Sequence, residues 1–234
     1  MSMNAITKVI AAAALVAVAA ISAPKASAQE GHADRIQLGS DIEFSMGLGF
    51  GIDFFSGIDS HSAYEPMNKA WGLDFTFNFA QFYWGLAPEH ELFLTLGLEN
   101  KSFRMRDNYG YGSVPVTETM VMLPYADMKM SAFRVFSWNV GMGYRFEAND
   151  DLAFEIGPIV NFNTGSRFKT KYYDADGKKH KEKVKWGHQE LVTIEAMAKV
   201  EIWGIGLYVK YNPFPLIEKD YGPEVTTWSV GVIL

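Results

Sequence analysis

Two stretches place a histidine beside a group it could work with: His61 next to Ser62, and His188 two residues before Glu190. A histidine with a hydroxyl nucleophile and an acid is the constellation of acyl transfer and ester hydrolysis. Neither pair sits in a surrounding motif that would fix the geometry, and a lone histidine at a loop edge is an ordinary polar surface residue. The five histidines (His32, His61, His90, His180, His188) show no ligand spacing, so no metal site is expected. Glycines recur at 47, 49 and 51 in "GLGFGID". A dinucleotide loop needs G-x-G-x-x-G between a strand and a helix, and here the spacing is two and two with no helical pattern after it. No cofactor is implied. The chain has no cysteine, which excludes disulfides, thiolate metal sites and a lipid-anchored N-terminal cysteine.

Charge offers more. In "SRFKTKYYDADGKKHKEKVKWGH" the turn signal "DADG" separates two basic runs. With a three-residue turn, Ala175 to Gly177, Arg167, Lys169 and Lys171 lie opposite Lys185, Lys183 and Lys181 on one face. With a two-residue turn, Lys171 faces Glu182 instead. The first register sets like charges directly opposite one another, which destabilises an unliganded hairpin. It makes the six residues a candidate anion-binding face for lipopolysaccharide phosphates or acidic glycans, against the plainer reading of a solvated loop. A second set of charges falls at alternate strand positions: Glu43, Asp74, Glu99, Arg145, Glu155, Glu195, Lys199 and Lys210. Buried together these must pair, giving an internal salt-bridge network or, alternatively, a gated polar conduit.

The elements that carry these residues are strands. In "DIEFSMGLGFGIDF" the even positions are Ile42, Phe44, Met46, Leu48, Phe50, Ile52 and Phe54, and the odd ones are Gly, Ser or acidic. Seven more runs alternate in the same way: "WGLDFTFNF", "ELFLTLGLE", "FSWNVGMGYRF", "LAFEIGPIVNF", "VTIEAMAKV", "GIGLYVKY" and "TTWSVGVIL". The links between the eight runs alternate long and short. Roughly residues 56–70, 101–130, 164–187 and 212–224 are long, whereas "APEHE", "EANDD" and "EIWG" are short. All the long links therefore fall at one end of the sheet.

Size decides which set points inward. An eight-stranded barrel has an interior only just wide enough for its own side chains. The bulky Phe, Trp, Leu and Met set cannot fit there, and the Gly, Ser, Thr and Asn set can. A soluble barrel would also need charge on its outward positions, and these are nearly bare. The expected fold is all-β: an eight-stranded antiparallel up-and-down transmembrane β-barrel, with short periplasmic turns and long extracellular loops.

Residues 1–28 read as a cleaved signal peptide: Lys8, the apolar stretch "VIAAAALVAVAAI", too short to span a bilayer, and "ASA" at 26–28. A short periplasmic segment, 29–40, and the barrel, 41–234, follow. Residues 1–28 hold Lys8 and Lys25 and no acid, so the mature chain has 19 basic and 27 acidic residues, a net of −8. That balance argues against a nucleic-acid partner.

The alternation over 41–234 and the last strand, "YGPEVTTWSVGVIL", resemble the small outer-membrane barrels of Gram-negative bacteria, nearest to the Bacteroidota-type, PorT-like group. The resemblance implies an exported, integral outer-membrane protein, monomeric, in contact with outer-membrane lipid and lipopolysaccharide. It also implies a closing strand read by the insertion machinery, with Trp228, Val230, Val232 and Leu234 facing lipid. Relatives often end in Phe where this chain has Leu234. The role expected is non-catalytic: surface contact, envelope integrity or an accessory part in secretion. The alternatives are a lipid A-modifying enzyme and a secreted lipocalin-like carrier.

Overall fold

The computed structural model describes residues 36–37, 42–59, 61–105, 108–125, 127–174 and 176–234. The signal peptide expected at 1–28, and most of the segment expected at 29–40, lie outside the described residues. The elements in chain order are β1 (Ile36–Gln37), β2 (Ile42–Ser56), a 3₁₀ turn (Glu65–Lys69), β3 (Trp71–Ala87), β4 (His90–Arg104), β5 (Tyr109–Ser113), β6 (Met120–Pro124), β7 (Met128–Asn149), β8 (Leu152–Tyr173), β9 (Lys179–Trp186), β10 (Val192–Ile202), β11 (Ile205–Asn212) and β12 (Thr226–Ile233).

Eight of these close a ring. Neighbours run β2-β3-β4-β7-β8-β10-β11-β12, and β12 returns to pair with β2, every pair antiparallel. Closure leaves no free edge in the ring, the condition for crossing hydrocarbon with strands. At one end β3–β4, β7–β8 and β10–β11 are joined by two-residue turns. Trp203 and Gly204 both take positive φ, 52° and 79°, as a two-residue hairpin with the twist of its strands requires. The four long links all lie at the other end. They carry the 3₁₀ turn, the β5–β6 hairpin and β9.

The bulky set faces out. Phe75 and Trp138 are 42% and 49% exposed, while the intervening Asp74 and Asn139 are 2% and 5% exposed. The glycine rhythm has its reason inside. Gly51 lies opposite Gly231 across β2 and β12, and the Tyr208 ring fills the space that both leave. A Cβ on Gly51 would meet the Tyr208 hydroxyl, and the Val230 carbonyl oxygen at 3.0 Å.

Two features depart from simple alternation. A bulge at Thr164 lets Phe136 pair with Gly165 and Ser137 with Asn163, so β8 changes parity there. Asn161 and Asn163 point inward below the bulge, and Ser166, Phe168 and Thr170 point inward above it. Uninterrupted parity would turn Arg167, Lys169 and Lys171 into the lumen; the bulge turns them out. The second departure is length. β7 and β8 have 22 residues each, about 70 Å of strand, far more than a hydrocarbon core of about 30 Å needs even when tilted. Much of the third long link is thus continued sheet, with β9 added along β8.

Candidate functional site

The lumen is filled in tiers. At the long-loop end, Phe55, Phe103, Phe133, Val135, Phe168 and Trp186 meet Met67, Met120, Ile217 and Val225 from the loops in one buried apolar cluster. Phe55 stacks on Phe103 at 4.1 Å between ring centroids. Tyr111, in a "DNYGYGS" stretch that reads as a loop tip, is buried in the same cluster. His188 pins the loops above it. Its Nε2 lies 2.5 Å from Glu118, its ring stacks on Tyr221 at 3.6 Å, and Trp186 Nε1 donates to the Glu118 carbonyl oxygen at 2.7 Å. His61 lies in a turn with Asp59, and Ser62 Oγ donates to the Asp59 carbonyl oxygen at 2.8 Å. Among the described residues no hydrogen bond joins His61 to Ser62 or His188 to Glu190.

Below the apolar cluster is an ionic tier. Lys210 Nζ donates to Asp74 at 2.9 Å, to Glu99 at 2.5 Å and to Thr76 at 3.3 Å. Tyr208 also donates to Asp74, at 2.9 Å. Lys101 pairs with Glu195, and with Glu99 at 3.5 Å. Ser229 donates to Asp53 at 2.5 Å. Then comes a thin layer of Tyr83, Phe93 and Met197, beside a cavity of about 30 Å³. A second ionic tier closes the short-turn end. Arg145 bonds Glu155 at 2.8 Å, Glu201 at 2.9 Å, Glu147 at 3.1 Å and Glu91 at 3.2 Å. Lys199 bonds Glu155 at 2.8 Å and Glu201 at 3.2 Å. A mouth of about 320 Å³ opens beyond it, toward the short turns.

Of the charges expected in the lumen, Asp74, Glu99, Glu195 and Lys210 meet in the first tier, and Arg145, Glu155 and Lys199 in the second. Glu43 is half-buried opposite Tyr83. Sequence reading leaves out Asp53, Lys101, Glu91, Glu147 and Glu201. Lys101 continues the inward parity of Glu99 past the end of the alternating run, and Asp53 continues that of the glycines.

The basic hairpin takes the three-residue register: Lys171 opposite Lys181, Lys169 opposite Lys183, Arg167 opposite Lys185. Asp174 holds the turn, accepting from the backbone N–H groups of Asp176 at 3.0 Å and Lys178 at 2.8 Å, with His180 Nε2 at 2.6 Å from its other oxygen. These bonds keep the Asp174 carboxyl below the usual carboxylate range, the His180 contact contributing most.

Two arginines join the hairpin's six cations from neighbouring strands. Arg134 on β7 lies opposite Arg167 and next to Ser102 on β4; Arg104 on β4 lies opposite Ala132, which lies opposite Lys169. The outer wall therefore reads in rows across the strands. Leu98, Trp138 and Phe162 form an apolar row, and Asn100, Phe136 and Gly165 the next. Above them come Arg134, Arg167 and Lys185; then Arg104, Lys169 and Lys183; then Lys171 and Lys181. Among the described residues no ion pair links a carboxylate to any of these eight. The Nε groups of Arg104 and Arg134 are buried without a hydrogen-bond partner. Partial burial, with Arg134, Lys171, Lys181 and Lys183 close by, pushes the Lys169 ammonium below the usual lysine value. The same cationic neighbours repel its charged form.

A signal for the wall is present in the sequence. "SFR" at 102–104, "AFR" at 132–134 and "RFK" at 167–169 fall on adjacent strands, and their phenylalanines are in register. Each Phe enters the apolar cluster and each following cation faces out.

No family model matches the chain, and no curated protein matches it. The resemblance to the Bacteroidota-type, PorT-like group therefore gains no support beyond barrel architecture. Among solved structures the chain is similar to Ail, the attachment invasion locus protein of Yersinia pestis, in complex with the heparin analogue sucrose octasulfate. The identity is 9% over 83% of this chain and 99% of that one, with a TM-score of 0.35. A second structure of Ail gives 11% identity over the same shares, with a TM-score of 0.32. The fold assignment rests on the closed ring of eight strands and its outward apolar belt.

Proposed function

We propose that this chain is an integral barrel of a Gram-negative outer membrane, sealed to solutes. In this reading it has a non-catalytic role in surface contact, through the anion-binding outer wall of its external sheet. One observation supports this most: three successive rows of cations with no carboxylate ion-paired to them among the described residues, including two arginines with unsatisfied buried donors. Counter-charge relieves the repulsion between cations set directly opposite one another, and guanidinium forks match phosphate and sulfate oxygens. The apolar cluster and the two ionic tiers support the sealed lumen. The long loops, with the external sheet, face outward in this reading, and the closing strand β12 serves the insertion machinery.

The test is binding of labelled dextran sulfate to the detergent-purified protein, wild type against Lys169→Gln/Lys171→Gln/Lys181→Gln/Lys183→Gln. Loss of about tenfold or more in affinity is expected; equal affinity rejects the reading. Lipid A mass spectra from cells with and without the gene are expected to coincide. A lost or transferred acyl chain would favour the enzyme alternative.

A further inference from the structure

We propose that the anion held by this wall is the headgroup of a membrane lipid bearing more than one phosphate, bound side-on against the barrel with its acyl chains on the apolar rows below. The inference rests on the anion-binding reading above and names its ligand class.

The cations stand on the lipid-facing side of the sheet. Arg134 and Arg167 are the next outward positions above Phe136 and Gly165, and Trp138 and Phe162 lie one row lower. Phe136, Trp138 and Phe162 are 41%, 49% and 44% exposed. Successive rows are about 7 Å apart along the strands and neighbouring strands about 5 Å apart. A ligand touching both kinds of row must be apolar below and anionic within about 7 Å above. That is the anatomy of a lipid in its leaflet and not of a soluble glycan, which has nothing to offer the aromatic rows.

The cations number eight over four strands and three rows, an area about 15 Å on a side. A single phosphate accepts from two or three donors. It leaves most of the wall still repelling itself, including Lys169 with its four cationic neighbours. More than one phosphate is needed to engage the lower row, Arg134 and Arg167, together with Arg104 and Lys169 above it. The free Nε donors of Arg104 and Arg134 are the groups expected to turn toward it.

The experiment is native mass spectrometry of the full mature protein in detergent with three probes: bis-phosphorylated lipid A, the same lipid with both phosphates removed, and dextran sulfate. Arg104→Gln/Arg134→Gln/Arg167→Gln removes the three arginines of the two lower cationic rows, and Phe136→Ser/Phe162→Ser removes aromatic contact beneath them. Heat-modifiable gel migration identifies variants that remain folded barrels. The bis-phosphorylated lipid is expected to bind wild type at least tenfold more tightly than the dephosphorylated one. The arginine variant is expected to lose about a hundredfold. The phenylalanine variant should lose lipid affinity while keeping that for dextran sulfate. Equal binding of the two lipids, or full retention by the arginine variant, overturns the inference. Dextran sulfate binding that the phosphorylated lipid cannot displace overturns it too, and leaves the broader anion reading standing. Failure of both anionic probes to bind removes both.

Discussion

Replacing Lys210 by Met tests the buried ionic tier at its most connected point. The change keeps the length of the side chain and removes the ammonium that bonds Asp74, Glu99 and Thr76. Lys101 would remain as the tier's one cation facing Asp53, Asp74, Glu99 and Glu195, all buried. Removing one partner of a buried pair costs about 3–5 kcal/mol, because the other charge is left without compensation. Asp74→Asn added to Lys210→Met removes one stranded charge and keeps an acceptor for Tyr208. The double variant is expected to recover at least about 1 kcal/mol relative to additivity. The assay is reversible denaturant unfolding of the refolded protein in detergent, followed by tryptophan fluorescence. The midpoint should shift with little change in slope. A cost below about 1 kcal/mol, or strict additivity, would refute the view that this tier is a dry, mutually paired cluster.

Three further outcomes follow from the packing. Planar-bilayer recordings of the wild type are expected to show no steady conductance, since the apolar cluster and both ionic tiers block the lumen; regular current steps would contradict a filled interior. Gly51→Ala should cost about 1–3 kcal/mol by displacing Tyr208, and Tyr208→Phe should absorb part of that cost; the double-variant unfolding cycle reads this, and additivity would count against the fit. Asp174 has its folded value depressed, so its contribution to the turn is present above about pH 4 and lost as pH falls through the folded value. Amide exchange at Lys178 should accelerate over that range in wild type and be fast and pH-flat, after correction for intrinsic exchange, in Asp174→Asn.

Alternation carries most of the fold in plain sight. The eight runs are the eight strands of the ring, and the contrast of long and short links gives its two ends. What alternation hides is any event that breaks period two. The bulge at Thr164 adds one residue to β8 and reverses which side Arg167, Lys169 and Lys171 take. Nothing local in "NFNTGSRF" requires it beyond a glycine. The apolar cluster is hidden for a different reason. Phe103, Phe133 and Phe168 sit among Arg, Lys and Ser beyond the ends of the alternating runs, where hydropathy averages out and the segment reads as loop. Arg104 and Arg134 are missed with them, because their membership of the wall depends on cross-strand register. The lumen charges are more legible, since parity alone selects Asp74, Glu99, Glu195 and Lys210. Which acid meets which base is set by the curvature of the ring.

Which face of the sheet meets lipid is measured directly by single-tryptophan variants in bilayers of brominated lipid. With Trp138 as the sole tryptophan, 49% exposed on the belt, emission should be strongly quenched by bromine on the acyl chains. With Trp186 alone, 3% exposed within the apolar cluster, it should be nearly unaffected. Quenching of Trp186 with Trp138 spared would contradict the outward orientation and the membrane role built on it.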